Sequence, residues 1–230
     1  FGVDVMTDGD AVGLRGGPVL RAVDIDVPTD FSSAAFFLVA ASVIPGSDLV
    51  IERVGLNPRR TGLLDTLRDM GADIEVVDLA HSGAEPVADL RVRARGLRGI
   101  AVPEARVPDM IDEFPALFVA AAAAAGETRI SGAAELRVKE SDRIAVMATA
   151  LSAMGVAIEE RPDGAVIQGP NAWRNATVDS HGDHRCAMSL AIAAQLAPGT
   201  TGIQDCRNVD TSFPGFLALA TGCGMGLSDR

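Results

Sequence analysis

Aromatic side chains are scarce in this sequence: eight Phe, one Trp and no Tyr among 230 residues. Hydrophobic residues still make up 48% of the chain, enough for one large core. That core must be built from Ala, Val, Leu, Ile and Met, which favours close-packed helices against sheet. Cysteine is also rare. Cys186, Cys206 and Cys223 are odd in number and lack metal-ligand spacing, so they read as reduced thiols of a cytoplasmic protein. Positive charge is short as well. A net charge of −11 provides no long-range field for nucleic acid or an anionic membrane surface, and neither is expected as a partner. An anionic small molecule would need a local basic pocket. The longest apolar stretch, 114–125, is too short to span a bilayer and contains Pro115, so it reads as a buried helix. No basic, apolar and small-residue series marks a signal peptide, and the opening on Phe1 instead of Met reads as a cut start.

What the sequence does contain is a repeat. An acidic residue, an Ala-rich helix, a Gly, a strand, a second helix and another Gly occur in three copies. The markers are Asp30, Gly46 and Gly71, then Asp112, Gly126 and Gly155, then Asp183, Gly199 and Gly224. The third set lies 153 residues beyond the first at every marker, which gives a period of about 77 residues.

Local pattern assigns the elements of each copy. In the first, alternation predicts a strand over 23–27, and the continuously apolar 31–44 is too long for a strand and predicts a buried helix. A strand over 49–54 follows. Asn57-Pro58 reads as a cap and first-turn pair for a helix in which Leu63, Leu64, Leu67 and Met70 share one face before Gly71. Strands near 74–79 and 90–94 close the unit. The second copy predicts a strand over 100–102, a helix over 111–125, a strand over 128–131 and a helix over 141–154. Ile144, Met147, Leu151 and Met154 of that last helix form a core stripe. A hairpin over 157–168 is expected to turn at Asp163-Gly164. Each unit is β-α-β-α-β-β, so the fold class is α/β (α+β), with repeats about a pseudo-threefold axis. The third copy stops before its hairpin. Residues 1–22, with Gly2-Val3-Asp4-Val5 and a turn at Asp8-Gly9, resemble the closing hairpin of an earlier copy.

Three charged clusters sit at or just before helix amino-termini: Ile111-Asp112-Glu113, the run from Arg137 to Arg143, and Gly182-Asp183-His184-Arg185. Repeats about one axis bring equivalent positions to the same end, where unpaired N–H groups and positive dipole ends face one place. Phosphate and carboxylate groups bind at such places. Each cluster alone also fits a plainer role. Asp112 and Glu113 could complement a helix dipole, Lys139 to Arg143 could be a salt-bridged turn, and His184-Arg185 a surface turn capped by Asp183. Lys139 is the only lysine among twenty basic residues.

At these residues a family resemblance becomes specific. Lys139-Glu140-Ser141-Asp142-Arg143 resembles the KE(S/T)DR motif of 5-enolpyruvylshikimate-3-phosphate synthases. Asp183-His184-Arg185 with Ala187-Met188 is similar to their DHR(x)AM motif, and Thr211-Ser212-Phe213-Pro214 to their TSFP segment. Asn57-Pro58-Arg59-Arg60-Thr61-Gly62 and Met110-Ile111-Asp112-Glu113 also resemble family segments, particularly of the bacterial group associated with glyphosate tolerance. The UDP-N-acetylglucosamine enolpyruvyl transferases share the fold and the transferred group but lack the KESDR run. A rival of another class is a non-catalytic anion-binding repeat module.

The resemblance implies an enolpyruvyl-transferase lobe, with residues 1–25 as the closing hairpin and crossover of an absent amino-terminal lobe. Residues 26–230 would then form the carboxy-terminal lobe, in repeats 26–98, 99–175 and an incomplete 176–230. It further implies transfer of the enolpyruvyl group of phosphoenolpyruvate to the 5-hydroxyl of shikimate-3-phosphate, with the missing lobe as a necessary partner and no metal or organic cofactor. In that reading Asp112 is the base that also touches the sugar-like ring, Glu140 carries a proton, and Lys139 lies beside the 5-hydroxyl. Arg143 and Arg185 clamp phosphoenolpyruvate and His184 supports the clamp. Arg207, where some members carry Lys, is implied as a weaker phosphoenolpyruvate contact, and Glu135 sits where some carry Asn.

Overall fold

The structure is a computed structural model describing residues 1–82 and 85–229. It opens with an antiparallel hairpin of β1 (Val5–Asp8) and β2 (Ala11–Leu14), whose Val5, Met6, Val12 and Leu14 are exposed. Asp8 pairs with Ala11, so the turn is Gly9-Asp10, one residue beyond the expected Asp8-Gly9. The strand expected over 23–27 does not form. Val23, Ile25 and Val27 are exposed, Pro28 has no N–H to donate, and pairing is confined to a parallel bridge between Thr29 and Val54.

The first unit follows the sequence closely. Helix α1 (Phe31–Val43) begins where Asp30 accepts the Ser33 N–H at 2.9 Å, and nearly all its residues are buried. Strand β3 (Asp48–Gly55) follows it. Asn57-Pro58 does not start the next helix, because Asn57 Oδ1 accepts the Arg59 N–H at 3.0 Å and its carbonyl accepts that of Arg60 at 2.8 Å. The side chain that would cap a helix instead closes a tight turn. Helix α2 (Gly62–Asp69) therefore starts later, and β4 (Asp73–Ser82) and β5 (Glu85–Arg93) complete an antiparallel sheet of order β3-β5-β4.

In the second unit the strand expected over 100–102 is reduced to parallel bridges, Arg98 to Ala125 and Ala101 to Arg129. The backbones meet closely there: a Cβ on Gly99 would lie 2.2 Å from the Glu127 carbonyl oxygen. Helix α3 (Phe114–Ala123) begins after a 3₁₀ turn at Ile111–Glu113, not at 111. An α-helix starting at 111 would drive the Pro115 ring against the Ile111 carbonyl. Strand β6 (Gly126–Ile130) leads through a 3₁₀ turn (Ala134–Val138) to α4 (Arg143–Ala153), which Asp142 caps by accepting the Ala145 N–H at 3.0 Å. Strands β7 (Ala157–Arg161) and β8 (Gly164–Gly169) close a sheet of order β6-β8-β7. Arg161 pairs with Gly164, so the turn is Pro162-Asp163, not Asp163-Gly164. Gly164 belongs to the strand, where a Cβ would lie 2.1 Å from the Ile130 carbonyl oxygen.

The third unit places α5 (His184–Ala194) between the parallel strands β9 (Thr177–Asp179) and β10 (Gly202–Gln204). Its second helix is split into α6 (Val209–Ser212) and α7 (Phe216–Gly222) around Phe213-Pro214-Gly215, with Gly215 at φ +81. Helices α1, α3 and α5 pack on one another at the centre, each too apolar to leave a polar face outward. Phe213 and Phe216, 5.6 Å apart, join Phe37 of α1 in an edge-on aromatic cluster that ties the third unit to the first. No helix among the described residues is long and apolar enough to cross a membrane.

The two kinds of glycine in this fold respond differently to a methyl group. Gly164→Ala should lower stability by about 1 to 3 kcal/mol, whereas Gly222→Ala, with open space around it, should change it by less than about 0.5 kcal/mol. Urea unfolding midpoints check this, and equal midpoints would contradict the close approach of β8 to β6.

Candidate active site

The starts of α1, α3, α4 and α5 lie at one end of the helical centre, and Arg143, the first residue of α4, is buried among them. Its side chain is 1% exposed, and a guanidinium so placed needs partners. Three carboxylates from separate segments supply them. Nε donates to Asp183 Oδ2 at 2.8 Å, Nη1 to Asp112 Oδ1 at 3.1 Å and Nη2 to Glu140 Oε2 at 2.5 Å.

Asp183 is wholly buried and faces two ways. Oδ1 caps α5 by accepting the N–H groups of Arg185 and Cys186 at 2.9 and 3.2 Å, while Oδ2 accepts from Arg143 and from the Ser141 hydroxyl at 3.1 Å. Burial pushes the Asp183 carboxyl up, but the hydrogen bond and charge of Arg143 and the capped N–H groups outweigh it and hold it below the usual carboxylate range. The same pair raises Arg143 against the effect of its own burial.

Asp112 is half-exposed and faces three cations: Arg143, Lys139 Nζ at 3.6 Å and Arg185 Nη2 at 4.0 Å. Burial pushes its carboxyl up, and Arg185, Lys139 and Arg143 together overcome that and lower it. In this state Asp112 is an ionised and therefore weak base. Lys139 also meets Glu135 Oε1 at 2.6 Å, and that hydrogen bond raises its ammonium group. Arg185 Nη1 donates to the Asp112 carbonyl at 3.2 Å and to Glu113 Oε1 at 3.5 Å. Glu113 is 5% exposed and accepts the Ser32 hydroxyl at 2.5 Å; burial raises its carboxyl. Burial, then the charge of Arg185, lower the imidazole of His184, which keeps it neutral at neutral pH.

The structure thus brings together Asp112, Lys139, Glu140, Arg143 and Arg185, with His184 beside them. Arg207 lies outside the network: it is 79% exposed and its Nε faces Asp205 Oδ1 at 3.1 Å. The sequence reading placed Asp183 and Glu113 at helix starts but missed their partners in other units, and it missed Ser32. Asp183 is indeed a cap, but the second oxygen that anchors Arg143 left no local signal. Ser32 gave none either, and Glu113 read only as a helix-start acid, because the bond between them joins different units. The hollow between Phe37, Ala40, Asp48, Leu49 and Met225 lies at the other end of α1, away from this chemistry. Among the described residues no three His, Cys, Asp or Glu side chains are grouped to hold a metal ion. What the site offers is anion binding: carboxylate oxygens that an incoming phosphate or carboxylate can replace occupy both Nη groups of Arg143, and Arg185 Nη2 comes no nearer to the Asp112 carboxylate than 4.0 Å.

Residues 1–219 match the family model described as EPSP synthase (3-phosphoshikimate 1-carboxyvinyltransferase). The 3-phosphoshikimate 1-carboxyvinyltransferase of Xanthomonas campestris pv. campestris strain B100 is 63% identical over 230 residues, which is all of this chain and 52% of that protein. That of Xanthomonas oryzae pv. oryzae strain PXO99A is 61% identical over 227 residues. The chain spans about half the length of the curated relatives it matches. An EPSP synthase structure from Acinetobacter baumannii superposes with a TM-score of 0.94 at 47% identity, covering 98% of this chain and 52% of that one. The enolpyruvyl transferase NikO from Streptomyces tendae, at 19% identity and a TM-score of 0.72, shares the fold. The motifs, the repeat and the superposition agree, and the chain belongs to the EPSP synthase (3-phosphoshikimate 1-carboxyvinyltransferase) family.

Proposed function

We propose that this chain carries about half of the active site of an enzyme that moves the enolpyruvyl group of phosphoenolpyruvate onto the 5-hydroxyl of shikimate-3-phosphate. The observation that carries this reading is the single ion network of Asp112, Lys139, Glu140, Arg143 and Arg185. In the same reading residues 1–25 belong with a second lobe and 26–230 form one lobe of three units. The exposed apolar residues of β1 and β2 support that division. A cytoplasmic location is a further part of the proposal.

The reaction forms a bond between the 5-oxygen and the enol carbon, moves the hydroxyl proton away and protonates the methylene carbon, giving a tetrahedral adduct. Phosphate then leaves as one proton returns from that methyl group. Both Nη groups of Arg143 are taken by Glu140 and Asp112. The carboxylate and phosphate of phosphoenolpyruvate need the same donors. Binding would displace Glu140 and loosen Asp112, while Asp183 keeps Nε and holds the guanidinium in place. A carboxylate that loses its cation becomes a stronger base. Asp112 then takes the 5-hydroxyl proton beside Lys139, and Glu140, once off Arg143, takes up a proton from solvent and passes it to the methylene carbon. Arg185, with neutral His184 next to it, closes the clamp. Arg207 serves at most as a peripheral contact.

The purified 230-residue chain should show negligible synthase activity, and mixing it with the complementary amino-terminal half of the Xanthomonas campestris relative should restore turnover. Full activity from the chain alone would contradict the half-site reading.

A single-chain fusion of the same two parts allows the carboxylates to be separated. Asp112→Asn and Glu140→Gln should each lower kcat by about 10² to 10⁴ with modest changes in KM. Exchange of solvent deuterium into the phosphoenolpyruvate methylene should be far more sensitive to Glu140→Gln. The opposite sensitivity would reverse the two assignments.

A further inference from the structure

Among the acids at the helix starts, Glu113 behaves differently from the rest. Asp30, Asp142 and Asp183 immediately precede α1, α4 and α5, and each accepts backbone N–H groups of its own helix. Glu113 holds the corresponding place before α3, yet its side chain makes no capping bond. The carboxylate turns away from its own helix and is buried instead between the starts of α1 and α5. Burying a carboxylate in that way is unfavourable unless partners compensate. Its partners are the Ser32 hydroxyl of α1 and Arg185 Nη1 of α5. Ser32 in turn accepts Arg60 Nη2 at 3.0 Å, and the same Nη2 lies 3.3 Å from Asp30 Oδ1. A chain of contacts from Arg60 through Ser32 and Glu113 to Arg185 therefore crosses from the first unit through the second to the third.

Arg185 is held from one side only. Nη1 is engaged by Glu113 and by the Asp112 carbonyl, whereas Nη2 comes no nearer to Asp112 Oδ2 than 4.0 Å. The guanidinium is thus fixed at its inner edge, with Nη2 left for a ligand. The charged groups facing Glu113 are Arg185 from α5, Asp112 from its own turn and Arg60 from the loop before α2.

We propose that Glu113, fixed by Ser32, is a positioning residue that aims Arg185 at the anionic substrate. This rests on the reading above that Arg185 contacts phosphoenolpyruvate. In the fusion enzyme, Glu113→Ala should raise KM for phosphoenolpyruvate by about tenfold, with kcat and KM for shikimate-3-phosphate within about twofold. Glu113→Gln, which keeps an acceptor oxygen, should recover part of that loss. In an Arg185→Ala background, adding Glu113→Ala should change KM for phosphoenolpyruvate by less than about twofold, because nothing remains to be aimed. Ser32→Ala should move KM in the same direction by less, and it serves as the probe if Glu113→Ala does not fold. Equal effects on both substrates and kcat, or a Glu113 effect that persists without Arg185, would overturn the proposal. If Arg185→Ala raises KM for phosphoenolpyruvate while the Glu113 and Ser32 variants leave it unchanged, only this inference fails. An unchanged KM in Arg185→Ala would overturn both this inference and the clamp on which it rests.

Discussion

The buried pair of Arg143 and Asp183 is the interaction on which the rest of the site depends. A guanidinium taken out of water is tolerated only with a well-placed counter-charge, and removing one member of such a pair costs about 3 to 5 kcal/mol. Asp183 is rigid because its other oxygen caps α5. The pair therefore joins the start of α4 in the second unit to the start of α5 in the third. Its pH dependence follows from the direction of the shift. The folded-state pKa of Asp183 is depressed, so its stabilising contribution is complete above the ordinary carboxylate value and is lost as pH falls through the folded one.

Everything nearer the solvent is arranged around that fixed guanidinium. Asp112 and Glu140 neutralise its outward nitrogens, Lys139 shares Asp112, and Arg185 flanks the group from α5. An ion network of this kind does two jobs in the proposed mechanism. It compensates the buried cations, and it couples anion arrival to release of the carboxylates that move protons. The second job follows from the competition for Nη donors and needs no movement of the backbone.

Much of this was legible in the sequence because the repeat units are local. The apolar runs of α1 and α3 and the Lys139 to Arg143 run each announce themselves within a dozen residues. The misreadings have two physical origins: partners that local pattern does not contain, and local chemistry that suits more than one structure. Residues 23–27 alternate as a strand should, yet pairing with β3 begins only beyond them, at Thr29. Asn57 has the right chemistry for a helix cap and uses it on a turn. Pro115 postpones α3 by a clash that an apolar pattern cannot register. Glu113 reads as a helix-start acid, whereas its hydrogen-bond partner Ser32 lies 81 residues away. Arg207, implied only by the family pattern, has its own counter-ion in Asp205.

The most direct measurement is a crystal structure of the fusion enzyme with phosphoenolpyruvate and shikimate-3-phosphate bound under conditions that prevent turnover. The account predicts oxygens of phosphoenolpyruvate within hydrogen-bond distance of both Arg143 and Arg185, Asp183 still on Arg143 Nε, and Glu140 moved off Nη2. Phosphoenolpyruvate bound elsewhere, with Glu140 and Asp112 still occupying Arg143, would contradict it.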